Sequence, residues 1–195
     1  MKLKFKMMED FNSLNEEYIQ IPNAGLCLLT LWLPRLFDIL GLLVVNDDNK
    51  KDFKDIEARI RAIFILQRLV TDEQREYKKQ DLEFNRILTG CPFHVPLPKT
   101  LELTQNEIQT TESMMAGVKA NWDKLKNTSI KGFQRSFIER PGKLEQREEK
   151  WVLYVENRTY DILLDSLPWS YRRIQLPWLK KKINVIWHDK EEFDF

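Results

Sequence analysis

Glycine, cysteine and histidine are all scarce in this 195-residue chain, and neither sign of charge is in excess. Six glycines leave little backbone for cradling phosphates, and neither G-x-x-x-x-G-K-[ST] nor G-x-G-x-x-G occurs. The two histidines, His94 and His188, stand in no catalytic pattern such as G-x-S-x-G or H-E-x-x-H. A serine or cysteine nucleophile needs a base, most often histidine, so the chain reads as a protein without catalysis. Two cysteines, Cys27 in an apolar run and Cys91 after a glycine, make no disulfide framework and fit a reducing cytoplasm. The longest apolar run, Ala24 to Leu33, is too short to span a bilayer and is ended by Pro34 and Arg35. The start of the chain has no apolar h-region, so no signal peptide is read. Thirty-one basic residues against thirty acidic ones, net +1, argue against a nucleic-acid holder, whose affinity rests on phosphate contacts.

What remains of reactive chemistry is thin. Cys91-Pro92-Phe93-His94 has the spacing of two zinc ligands, but a structural zinc takes four. The segment is read as a proline-rich loop, and neither metal nor cofactor is implied. Paired acids such as Glu16-Glu17 and Glu148-Glu149 are expected to be solvated surface. Arg172-Arg173 and Lys180-Lys181-Lys182, the latter between Trp178 and Trp187, have the composition of a single-strand nucleic-acid surface. Lysines that guard a strand edge are the preferred reading.

The chain is rich in apolar (43%) and aromatic (11%) residues, enough to bury a substantial core. Residues 1–20 read as a flexible arm, with Lys2, Lys4 and Lys6 alternating with Leu3, Phe5 and Met7. Residues 24–43 read as an apolar helix that Pro34 kinks or restarts. Asn46 to Lys51 is a polar loop, Asp52 an N-cap, and Ile56, Ile60, Ile63 and Phe64 lead a helix to about Val70. Asp72 to Glu76 is a charged turn. A further helix is expected over about 74–88, closed by Gly90 in the left-handed cap. Pro92, Pro96 and Pro98 enforce an extended connection.

Thr104 and Glu107 form a T-x-x-E capping box before Ile108, Thr111, Met115, Val118, Trp122 and Leu125, which step by three and four. Thr128 is expected to cap the next helix, with Ile130, Phe133 and Phe137, up to Pro141-Gly142. Beyond that point the pattern turns to strands. Leu144 to Arg147 pairs with Trp151 to Val155, and Ile183 to Trp187 is a second clear strand. Tyr160 to Asp165 is one helical turn between them. The fold class is therefore α+β, mainly helical over the N-terminal two-thirds, then a small, mostly antiparallel sheet with Leu-Pro-Trp loops.

Six tryptophans are many for this length. Trp122, Trp151 and Trp187 fall on periodic faces and are expected in the core. Trp169 and Trp178 each follow a proline in irregular backbone, so each is either a core plug or an exposed anchor for a partner.

A series of short signatures runs along the chain: Ile21-Pro22-Asn23-Ala24-Gly25-Leu26, Leu33-Pro34-Arg35-Leu36-Phe37, Leu125-Lys126-Asn127-Thr128-Ser129-Ile130, Arg140-Pro141-Gly142, Leu167-Pro168-Trp169 and its echo Leu176-Pro177-Trp178. In this order, and together with Ile183-x-Val185-x-Trp187, they resemble the C-terminal region of the contractile injection system tape measure protein family, from phage-tail-like particles related to antifeeding prophages. The resemblance implies an assembly component of a contractile particle, with inner-tube, baseplate or spike subunits as partners and with no cofactor. It marks Asn23, Gly25, Pro34, Arg35, Asn127, Thr128, Pro168, Trp169, Pro177 and Trp178 as motif residues that hold a partner-facing shape. It divides the chain into an arm (1–20), a tape-measure C-terminal-like domain (21–188) and an acidic tail (189–195). It also implies synthesis and assembly in the cytoplasm, with the protein carried in the particle. A ruler needs length, and the roughly 20 residues before the resemblance would span only about 30 Å as a helix. The likeness is thus to an anchor region without its ruler. A stand-alone binding or regulatory domain, a homo-oligomer and, behind them, a nucleic-acid module stay open as alternatives.

Overall fold

The computed structural model describes residues 18–188, so the lysine alternation at the N-terminus and the acidic tail lie outside the described residues. The class is α+β, and a five-stranded sheet sits against the helices. Its strands are β1 (Ile19–Ile21), β4 (Gly142–Gln146), β5 (Lys150–Val155), β6 (Arg173–Ile174) and β7 (Lys182–Ile186), in the order β1-β4-β5-β7-β6. Neighbours run antiparallel except β5 and β7, which are parallel, with Leu153 opposite Val185. Ile19 and Gln20, at the end of the expected arm, belong to β1 and pair with Leu144 and Lys143. Helices therefore do not simply precede strands, because the N-terminal edge of the sheet comes from the start of the chain. Lys182 opens β7 and pairs with Lys150 on β5, while β6 covers β7 only at Ile183 and Asn184.

The apolar run begins as a 3-10 helix, Ala24–Trp32, buried from Ala24 to Thr30. Its side chains are apolar almost all round, so every face must be covered. Pro34 starts a new piece, α1 (Leu33–Ile39), from its first turn, where a missing amide costs nothing. α1 stops short of residue 43. Gly41 takes a positive φ, and β2 (Leu43–Val45) pairs with β3 (Lys51–Phe53) in a hairpin whose turn is the polar loop. Asp52 lies in β3 and accepts from Arg59 rather than capping a helix. The N-cap is Asp55, whose side chain accepts from the Ala58 amide at 2.7 Å and opens α2 (Ile56–Val70).

α3 (Lys79–Thr89) begins five residues after the expected start. The amide of Tyr77 donates to Lys99 in the proline loop, which ties that stretch into an extended path. Gly90 closes α3 at φ +65, the left-handed cap that glycine adopts without strain. The Thr104–Glu107 capping box opens α4 (Gln105–Ala120). Periodicity outlives this helix, since Trp122 and Leu125 are buried although α4 has ended and a 3-10 turn, Asp123–Leu125, has begun. The cap of α5 (Ile130–Phe133) is Ser129, which accepts from the Gly132 amide at 2.9 Å; Thr128 does not fill that role. A π-turn, Gln134–Ile138, leads into β4, and a 3-10 helix, Thr159–Ser166, lies between β5 and β6.

Candidate docking surface

Two bonding systems hold the strands to the helices. Arg140 and Asp161 are both fully buried. The guanidinium meets the carboxylate with two bonds of 2.9 Å, and it also donates to the Ser136 and Glu156 carbonyls. Asp161 further accepts from the Trp187 indole at 2.9 Å and from the Arg158 amide at 2.8 Å. The arginine's centre lies 5.1 Å from the Trp187 ring and 5.3 Å from that of Tyr160. One ion pair thus joins the end of the π-turn, the 3-10 helix and the last strand. The extra hydrogen bonds offset part of what a buried pair loses in desolvation, while Arg140 Nε is buried with no hydrogen-bond partner among the described residues.

The second system centres on Asn23, which is completely buried. Its amide donates to the Asp81 carbonyl and to Asn85 Oδ1, and Asn85 in turn donates to Gln67 and the Ile63 carbonyl. Next to it, a Cβ on Gly25 would sit 1.7 Å from the Phe137 carbonyl oxygen, so only glycine allows this approach. Asn23 and Gly25 therefore act inside the molecule.

Among the other motif residues, the structure brings two groups together. Trp169 and Trp32 stack edge-on at 4.5 Å, which joins Pro168-Trp169 to the Leu33-Pro34-Arg35 corner. Both indoles are half-buried, Trp169 donates to the Leu28 carbonyl at 3.0 Å, and Pro168 and Arg35 are exposed. A line of ring contacts continues inward from Trp169 to Trp122, on to Phe137, and out again to Tyr160. Leu31, beside Trp32, is 63% exposed, and Ile162, on the 3-10 helix after Tyr160, is 64% exposed. Ile39 and Val45 are exposed to a similar degree, 58% and 61%, so exposure alone does not single out Leu31 and Ile162. Tryptophan is enriched at the centre of interfaces.

Trp178 is elsewhere and is core. It is 6% exposed, donates to the Leu88 carbonyl at 2.9 Å, and packs on Phe37 and Phe53. Only Pro177 of that pair reaches solvent. Asn127 and Thr128 form the turn between α4 and α5. Asn127 is exposed, and the Thr128 carbonyl accepts from Lys119 Nζ. Sequence reasoning gave Leu31 no role, and Asp161 and Ile162 stand in it only as part of the helical turn from Tyr160 to Asp165. Arg140 was visible only as part of Arg-Pro-Gly.

Cys27, Cys91 and Glu107 are held away from reactive protonation states by their surroundings. Burial pushes the Cys27 thiol well up, and likewise that of Cys91, away from a reactive thiolate. For Glu107 burial works to raise the carboxyl, but hydrogen bonds from Arg61 and from the amide and hydroxyl of Thr104 outweigh it and hold the group below its ordinary value. Among the described residues no group of three or more His, Cys, Asp or Glu side chains is placed to hold a metal, and no helix is long and apolar enough to cross a membrane.

The family model for the contractile injection system tape measure protein matches residues 4–187. No curated protein and no solved structure matches the chain.

Proposed function

Because the chain belongs to the contractile injection system tape measure protein family, we propose that it is the anchoring part of that system, docking on inner-tube, baseplate or spike subunits while the particle assembles. The observation that carries this reading is the shape of the matched region. Among the described residues the longest helix, α4, has 16 residues, about 24 Å of length. The elements fold back on one another around a shared core from Ile21 to Trp187 instead of running on as a rod. A folded block suits one end of a tube better than its length. The docking face is the Leu31, Trp32, Pro168 and Trp169 corner with Ile162. Proline at 34 and 168 fixes φ there, so little freedom is lost on association. The protein is made and assembled in the cytoplasm and stays with the particle. The test is capture of tube, baseplate and spike subunits, each co-expressed with the tagged chain. The reading expects one of them to be retained, and retention of none overturns it.

A further inference from the structure

The hairpin of β2 and β3 is a sheet of its own, and among the described residues β2 pairs with β3 alone. The bonds at its two ends fix which way its backbone points. The Lys54 amide donates to the Leu42 carbonyl at 3.0 Å, and the Asn46 amide to that of Lys50 at 2.8 Å. Hydrogen-bonded pairs alternate along an antiparallel ladder, so Val44 directs its amide and carbonyl to Asp52, while those of Leu43 and Val45 point away from β3. Leu43-Val44-Val45 carries no lysine and no proline, the residues that usually guard such an edge. Val44 is 47% and Val45 61% exposed. Ile39, 58% exposed, follows Asp38, whose carboxylate holds Lys51, the residue opposite Val45, at 2.8 Å.

We infer that this edge pairs with the same edge of a second copy of the chain, antiparallel about a two-fold axis at Val44. In that register Leu43 of each copy faces Val45 of the other, and each such pair exchanges both of its backbone bonds. Val44 then stands opposite Val44 of the other copy, in the kind of pair whose side chains approach most closely. The edge itself selects a second copy. Its free donors and acceptors are symmetric about Val44, and its exposed side chains are apolar, so it matches itself in hydrogen bonds and in hydropathy. Charge agrees as well. Asn46 of one copy falls opposite Leu42 of the other, so the exposed Asp47 and Asp48 of each turn come beside the strand end that carries exposed Lys54. A contact of this symmetry uses both edges and stops at two copies.

The experiment follows the isolated full chain by sedimentation velocity over a range of concentrations, so its outcome is independent of particle formation. A reversible dimer is expected. Val45→Pro removes an outward amide and is expected to weaken the dimer roughly 10-fold or more. Val44→Lys/Val45→Lys, both at exposed sites, sets like charges against each other and is expected to give a monomer whose circular dichroism is unchanged. Under mild oxidation Val44→Cys is expected to form a disulfide-linked dimer, whereas Leu31→Cys, exposed on the Trp169 corner, forms none. Three results overturn the inference: a monomer at every concentration, a dimer that survives the double lysine change, or linkage through Leu31→Cys without linkage through Val44→Cys.

Discussion

Arg140 and Asp161 meet through two parallel hydrogen bonds of 2.9 Å with both side chains wholly cut off from water. Removing one partner strands the other as a buried charge, which costs about 3–5 kcal/mol. Arg140→Ala and Asp161→Asn are each expected to lower the urea midpoint by that measure, and the double change Arg140→Met/Asp161→Leu to cost less than the sum. Equal midpoints in wild type and either single variant would contradict the account.

Gly25 has no room for a methyl group, and the obstacle is a backbone carbonyl, which cannot swing aside. Gly25→Ala is expected to destabilise by about 3 kcal/mol or more. Gly117, where a Cβ would meet nothing within 4 Å, is the control, and Gly117→Ala should be neutral or stabilising.

The caps separate two adjacent residues. Ser129→Ala should cost about 1 kcal/mol because Ser129 receives the Gly132 amide, whereas Thr128→Ala should cost only a few tenths. Thermal midpoints of the two variants measure the difference, and the opposite order would refute the assignment.

Acid should loosen the contact between α2 and α4. The folded Glu107 carboxyl lies below its ordinary value near 4.5, so its contribution is complete above that pH and is lost as pH falls through the lowered value. Urea midpoints from pH 7 to pH 3 should decline less steeply in Glu107→Gln, which is less stable at pH 7. An unchanged acid slope would exclude this pair as a source.

Much of the fold was legible because local signals and tertiary contacts agreed. The Thr104–Glu107 box, the Gly90 cap and the Pro34 restart each depend on a residue's own backbone chemistry, and each is found in the structure. The hairpin of β2 and β3 and the edge strand β1 were not legible, since three-residue strands carry too little alternation to be seen. Asp52 and Asp55 are equally good caps by type, and the Arg59 contact of Asp52 decides between them. The two Leu-Pro-Trp copies look alike in sequence. Both indoles donate to an interior carbonyl, Leu88 for Trp178 and Leu28 for Trp169, and what separates them is the rings they pack on, buried Phe37 and Phe53 for Trp178 and half-open Trp32 for Trp169.

That difference makes the docking face testable apart from folding. Trp178→Ala should cost about 3–5 kcal/mol as a core truncation. Leu31→Ser with Ile162→Ser should leave the unfolding free energy within about 1 kcal/mol of wild type, since both side chains are already mostly in water. The most direct measurement is to replace the chromosomal copy in the producing host with the Leu31→Ser/Ile162→Ser form and count intact sheathed particles by electron microscopy, with a deletion strain alongside. The account predicts few or no normal particles in both strains while the variant polypeptide remains folded and abundant. Normal numbers of particles of normal length in the deletion strain would contradict it.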